Sequence, residues 1–120
     1  MSTESSDAIV VLMTAASVAE AGRLAEMLVG AQLAACVQIS QPISSVFRWQ
    51  GTIQWQNEVL LIAKTERSKF EEVEREVRAI HSYETPEIIA LPITAGSLPY
   101  LKWLSASLIV GASLRGRPIG

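Results

Sequence analysis

Hydrophobic positions along this chain switch repeatedly between a strand period and a helix period. Residues 8–14 form an unbroken apolar run rich in β-branched side chains, the mark of a strand covered on both faces. Val18, Ala21, Leu24, Ala25 and Leu28 then recur at helical spacing, with Glu20, Arg23 and Glu26 expected outside. Ser17 and Glu20 have the spacing of a capping box, so a first helix is predicted to run from there to about Gly30.

The strand period returns over residues 34–50 and again over 53–65. Gln50, Gly51 and Thr52 between them predict a tight turn that uses the positive φ open to glycine. Gln54, Trp55 and Gln56 alternate beside it, as in a hairpin arm with one wet face. Pro42 cannot donate to a ladder and so predicts a bulge or bend in a long strand. Ser68 and Glu71 repeat the capping spacing ahead of a second helix whose inner face is Phe70, Val73, Val77 and Ile80. Its outer face offers Glu71 with Arg75 and Glu74 with Arg78, each four residues apart. Pro86 precedes a last strand over residues 87–93. Ser97 and Pro99 open a third helix carrying Tyr100, Leu101, Trp103, Leu104 and Leu108. A disordered start over residues 1–7 and a mobile tail over 111–120 are expected to flank one domain, residues 8–110.

This order describes an α+β protein: a ferredoxin-like βαββαβ sandwich with an antiparallel sheet and an extra C-terminal helix. Helices cover one sheet face, and only the third helix is left for the other. Composition sharpens that point. Of 120 residues 49% are hydrophobic and only 18% charged, which leaves few charges to coat the large surface of a small domain. Obligate interfaces are more apolar than free surface, so self-association is expected. A net charge of −2 with scattered basic residues argues against nucleic acid as a partner. No apolar stretch is long enough to span a membrane. The polar, acidic start does not read as a signal peptide, and a single cysteine, Cys36, precludes a disulfide within the chain. The cytosol is the expected compartment.

Candidate chemistry is sparse. No glycine-rich phosphate loop and no serine elbow is present, which argues against an enzyme. Cys36 sits in the apolar run LAACVQI and reads as a small core side chain. His81, the one histidine, has two readings. With Glu84 and Glu87 it would ligate a divalent metal or shuttle a proton; at a helix C-terminus it would simply satisfy free carbonyls. Trp49 and Trp55 flank an exposed turn and call for a cover, first a neighbouring subunit and second a stacked ligand. Glu58 and Lys64 share a face of their strand. Lys64 either contacts an anion or reaches out of the sheet rim.

The blocks LAACVQI, FRWQGTIQ, NEVLLIAKT, HSYETPEIIALPI and YLKWLSASL, in that order and spacing, resemble the CutA divalent-cation tolerance family over residues 8–108. The resemblance implies a ferredoxin-like fold assembled as a homotrimer, and a link to tolerance of copper and other divalent cations. It implies no required cofactor. The family's characteristic residues fall on Cys36, Trp49, Gly51, Glu58, Lys64, His81, Tyr83, Glu84, Pro86, Glu87, Tyr100 and Trp103. Of these, Cys36, Trp49, Lys64, Tyr83, Tyr100 and Trp103 would line a cleft between subunits. Some relatives carry a cysteine and a further histidine where this chain has Met13 and Ile80, and a proline where it has Ser82. With those ligands missing, copper(II) is expected to bind weakly, at about micromolar affinity or looser. The alternative is a small-ligand or anion sensor that uses the intersubunit cleft, with metal incidental.

Overall fold

The computed structural model describes residues 7–109. The chain runs β1 (Ala8–Ala15), α1 (Val18–Gly30), β2 (Cys36–Ile39), β3 (Ile43–Trp49), β4 (Thr52–Glu66), α2 (Phe70–Ile80), β5 (Ile88–Pro92) and α3 (Leu98–Ser107). The sheet order is β2-β4-β1-β5, antiparallel throughout, with β3 paired to the first half of β4. This is the expected ferredoxin-like arrangement with its added third helix. Pro42 falls in the break between β2 and β3, so one long edge is divided into two strands. The expected disordered segment, apart from Asp7, and the expected mobile tail lie outside the described residues.

Alternation along β1 explains the core. Ile9, Val11, Met13 and Ala15 face α1 and α2, where they meet Leu24, Leu28, Leu61, Val73 and Val77, all buried. A buried leucine or methionine of this kind stabilises the fold by roughly 2–5 kcal/mol over alanine. The opposite face is covered at one end only, where Ala8 packs with Leu104 of α3 and with Leu108 just after it. Further along, Leu12 lies in register between Ile62 and Ile89, and Val10 pairs with Leu91. Ile89 and Leu91 are exposed, so an apolar strip of sheet faces outward.

Several local expectations are corrected. Glu20 is buried rather than outside, and Val18, expected inside, is exposed. Ser17 Oγ does accept the Glu20 N–H (3.1 Å), but the Glu20 carboxylate turns inward to accept from Ala16 N (2.9 Å). The Ser68 cap does not form. Arg67–Lys69 wind as a 3-10 turn, with Arg67 N held by the Asp7 carbonyl (2.8 Å), and α2 begins after it without a side-chain cap. Arg75 sits between Glu72 and Glu76 instead of pairing with Glu71, while Glu74 and Arg78 do pair, at 3.8 Å. Cys36 is half-buried rather than a core side chain. Among the described residues, no helix is long and apolar enough to cross a membrane.

Candidate functional site

The site is built where the sheet ends unevenly. Strand β1 stops at Ala15, opposite Val59, so residues 52–58 of β4 continue outward paired only with β3. The result is a two-stranded arm. Its turn has two central residues, Gln50 at φ 48 and Gly51 at φ 83. Positive φ at both positions is the geometry of a type I′ turn, which matches the strand twist. Thr52 therefore starts β4 rather than belonging to the turn. Its hydroxyl donates to the Trp49 carbonyl (3.1 Å), closing the hairpin.

Pleating then sorts the arm's side chains. Register pairs Trp49 with Thr52, Phe47 with Gln54, and Val46 with Trp55. Trp49, Phe47, Gln54, Gln56 and Glu58 thus lie on one side, and Val46, Ile53 and Trp55 on the other. The two tryptophans are 59% and 74% exposed and face opposite ways, so no single cover serves both.

Across the end of β1 runs the segment 81–87, held by three side chains. His81 ends α2, its N–H bonded to the Val77 carbonyl (2.9 Å). Its imidazole is 0% exposed. The ring bonds through Nε2 to the Thr14 carbonyl (2.7 Å), and Nδ1 accepts from Tyr83 N (2.9 Å). A carbonyl on one side and an amide N–H on the other fix a neutral ring protonated at Nε2. Both nitrogens are therefore occupied, and the free carbonyl that the ring satisfies belongs to β1 rather than to its own helix.

Glu20 is the second clamp. Its Oε2 accepts from Ser82 N (2.7 Å), and Oε1 from Ser82 Oγ (3.0 Å) as well as Ala16 N. Burial pushes this carboxyl up, but the hydrogen bonds from Ala16 and Ser82 outweigh burial and hold it below its ordinary value. Tyr83 is the third. Its hydroxyl donates to Glu58 Oε2 (2.9 Å) and accepts from Gln56 Nε2 (2.7 Å), tying the segment to the arm. Burial and the neighbouring Glu58 carboxylate push the Tyr83 phenol up to about 12.

Between arm and segment lies a cleft of about 810 Å³, lined by Phe47, Trp49, Glu58, Tyr83, Glu84 and Glu87 among others, with no Lys, Arg or His in its wall. Of the residues singled out in the sequence, Trp49, Tyr83, Glu84 and Glu87 meet here. His81 lies behind the wall, and among the described residues no three His, Cys, Asp or Glu side chains come together as metal ligands. The expected His81, Glu84 and Glu87 set is thus not assembled within one subunit, because the imidazole is committed to Thr14 and Tyr83. Cys36 and Lys64 are register partners at the far end of the sheet, where Lys64 Nζ bonds Gln38 Oε1. Tyr100 and Trp103 stack on α3 at 5.6 Å, packed around Ala8. These four do not reach the cleft of their own subunit. Glu20, Gln56, Ser82 and Thr14 were missed. Only Glu20 left a signal in the sequence, as the third residue of the capping box.

Fold and site together define a ferredoxin-like α+β protein with an outward hairpin arm, an uncovered apolar sheet face and an acidic cleft. Comparison with known proteins gives that class a family. The profile of the CutA1 divalent ion tolerance protein family matches residues 9–107. A divalent-cation tolerance protein CutA of Thermus thermophilus is 44% identical over 95 residues, 79% of this chain and 92% of the relative. The chloroplastic protein CutA of Arabidopsis thaliana is 51% identical over 89 residues, 73% of this chain but 49% of the relative, so the chain spans about half the length of that protein. The structure of a periplasmic divalent cation tolerance protein CutA from Archaeoglobus fulgidus superposes with a TM-score of 0.83 at 43% identity, covering 85% of this chain and 99% of that one. The chain belongs to the CutA1 divalent ion tolerance family. That family is named for tolerance and not for a reaction, and its members carry names from more than one compartment.

Proposed function

We propose that this protein works as a homotrimer in the response to divalent cations, binding them weakly and carrying out no reaction of its own. The observation that carries this reading is the acidic cleft: Glu58, Glu84 and Glu87 line one wall system without a basic side chain among them. Carboxylate oxygens that do not form a closed ligand shell attract divalent ions without holding them tightly. Affinity at about micromolar or looser corresponds to about −8 kcal/mol or less in magnitude. Copper(II) leads the divalent order, with a narrow margin because the imidazole is engaged elsewhere. The alternative of an anion sensor in the intersubunit cleft would need Lys64 from a neighbouring copy, since within its own chain Lys64 lies at the far end of the sheet.

Two surfaces support assembly: the strip of Leu12, Ile62, Ile89 and Leu91, and the side of the arm that carries Val46, Ile53 and Trp55. A neighbouring copy that buries both would also bring its own side chains to the cleft. Calorimetric titration of copper(II) and zinc(II) at neutral pH tests the reading, with light scattering on the same samples. Weak saturable binding should fall about tenfold or more in Glu84→Gln/Glu87→Gln, at a mass near three times 13.0 kDa. Unchanged affinity in the double variant, or a folded monomer, would overturn it.

A further inference from the structure

The cleft contains more than a divalent ion needs. Its volume of about 810 Å³ is far larger than one coordination shell and falls in the range of small-molecule sites, about 300–1,000 Å³. Three aromatic side chains, Phe47, Trp49 and Tyr83, stand in its wall. Phe47 and Trp49 stand on the cleft side of the arm, and Trp49 is the outermost residue of β3, next to the turn. Glu58 lies at the inner end, hydrogen-bonded by Tyr83, and Glu84 and Glu87 line the cleft from the segment that follows Tyr83.

The hydrogen-bonding inventory points the same way. Tyr83 gives its phenolic proton to Glu58 and so has none left for a ligand. Gln56 directs its Nε2 at Tyr83 and Gln54 directs its Nε2 at Thr52 Oγ1 (2.8 Å), which orients both amide oxygens away from those partners as acceptors. The wall therefore presents carboxylates, amide oxygens and ring faces, with the hydroxyls of Thr14, Ser45 and Thr85 between them. Its charged groups are all carboxylates, which repel anions. An ammonium group has three N–H donors and no acceptor, and its charge is attracted to an indole face.

We propose that this cleft binds aliphatic polyamines, with one ammonium group near Glu84 and Glu87, at the Glu58 end of the cleft, and another against Phe47 and Trp49. The span supports a ligand with separated charges. Glu58 and the Gln54 position opposite Phe47 are four residues apart on β4, about 13 Å at the strand rise. That length suits an extended triamine and not a single metal ion. The inference goes beyond the divalent-cation reading and does not depend on it, since it rests on the aromatic wall and the acceptor pattern.

Spermidine titrated by calorimetry into the full chain, stripped of metal with a chelator, tests the proposal at low salt. Saturable binding is expected. Trp49→Ala should weaken it about tenfold and Glu87→Gln about threefold or more, while Trp103→Phe, on α3, leaves it unchanged. Circular dichroism checks that each variant is folded, and Trp49→Tyr, which keeps a ring face, should restore most of the affinity. Absence of saturable binding overturns the proposal. So does equal binding by wild type and Trp49→Ala, which would mark spermidine as a mere counterion. Zinc(II) titrated into the same stripped samples separates the two readings: zinc bound without spermidine defeats this inference alone, and spermidine bound without zinc defeats only the divalent one.

Discussion

Replacing Glu20 by glutamine should loosen the segment that forms one wall of the cleft. The carboxylate is 4% exposed and accepts three hydrogen bonds, from Ala16 N, Ser82 N and Ser82 Oγ. A glutamine carbonyl in the Oε1 position still accepts from Ala16 N and Ser82 Oγ. Its amide nitrogen, however, then meets the Ser82 N–H donor to donor. One charge-assisted bond is lost and one buried N–H is left without an acceptor, at a cost of about 1.5–3 kcal/mol. Glu20→Ala removes all three bonds and should cost more, about 3–5 kcal/mol, as for other buried networks that lose one partner.

The pH dependence of this effect has a definite sign. Because the folded carboxyl titrates below its ordinary value, its contribution is complete above the unfolded carboxyl value of about 4.3 and disappears as pH falls through the lower, folded value. The stability gap between wild type and Glu20→Gln should therefore be widest at neutral pH and shrink in acid. Urea unfolding of both proteins at neutral pH and near pH ~4, at one fixed protein concentration, measures it. A gap below about 0.5 kcal/mol at neutral pH, or one that widens in acid, would refute the reasoning.

Tyr83→Phe should cost about 1–3 kcal/mol by leaving the Glu58 carboxylate, 8% exposed, without its phenolic donor, and urea unfolding reads this directly. In wild type one of the two tyrosines should ionise only at about 12 in a near-ultraviolet absorbance titration, and Tyr83→Phe should remove that component. Since the folded phenol titrates above its unfolded value of about 10, this contribution to stability is lost as pH climbs from there through the folded value. At the arm's tip, Gly51→Ala places a Cβ at φ 83 and should destabilise by about 1–2 kcal/mol, whereas Gln50→Asn, better suited to φ 48, should raise the melting temperature.

The elements were legible because each has its own period. β1 is an unbroken apolar run, α1 repeats at helical spacing, and Gly51 marks a turn between alternating strands. The opposed directions of Trp49 and Trp55 were not legible: the expected turn of three residues, 50–52, would pair 49 with 53 and put both rings on one side, whereas the two-residue turn pairs 49 with 52 and hence 46 with 55. The site was less legible because its bonds are long-range. Glu20 reaches Ser82 across 62 residues and His81 reaches Thr14 across 67, so local patterns place Glu20 on a wet helix face and leave His81 free to bind metal. Ser68 and Glu71 fail as a cap for a related reason. The chain there is already held by Asp7, a contact that no short-range pattern contains.

The account depends most on His81 being a structural imidazole behind the cleft while the carboxylates in front meet the cation. As the chain has one histidine, selective nitrogen-15 labelling of that ring gives a single pair of nitrogen signals. Those signals, followed by magnetic resonance while zinc(II) is added, test the claim directly. The predicted result is a neutral ring protonated at Nε2 in the metal-free protein, with ring signals that hold still while the amide signals of Glu84 and Glu87 move. A ring nitrogen that shifts to a metal-bound position with the same titration midpoint would contradict it and return His81 to the ligand set.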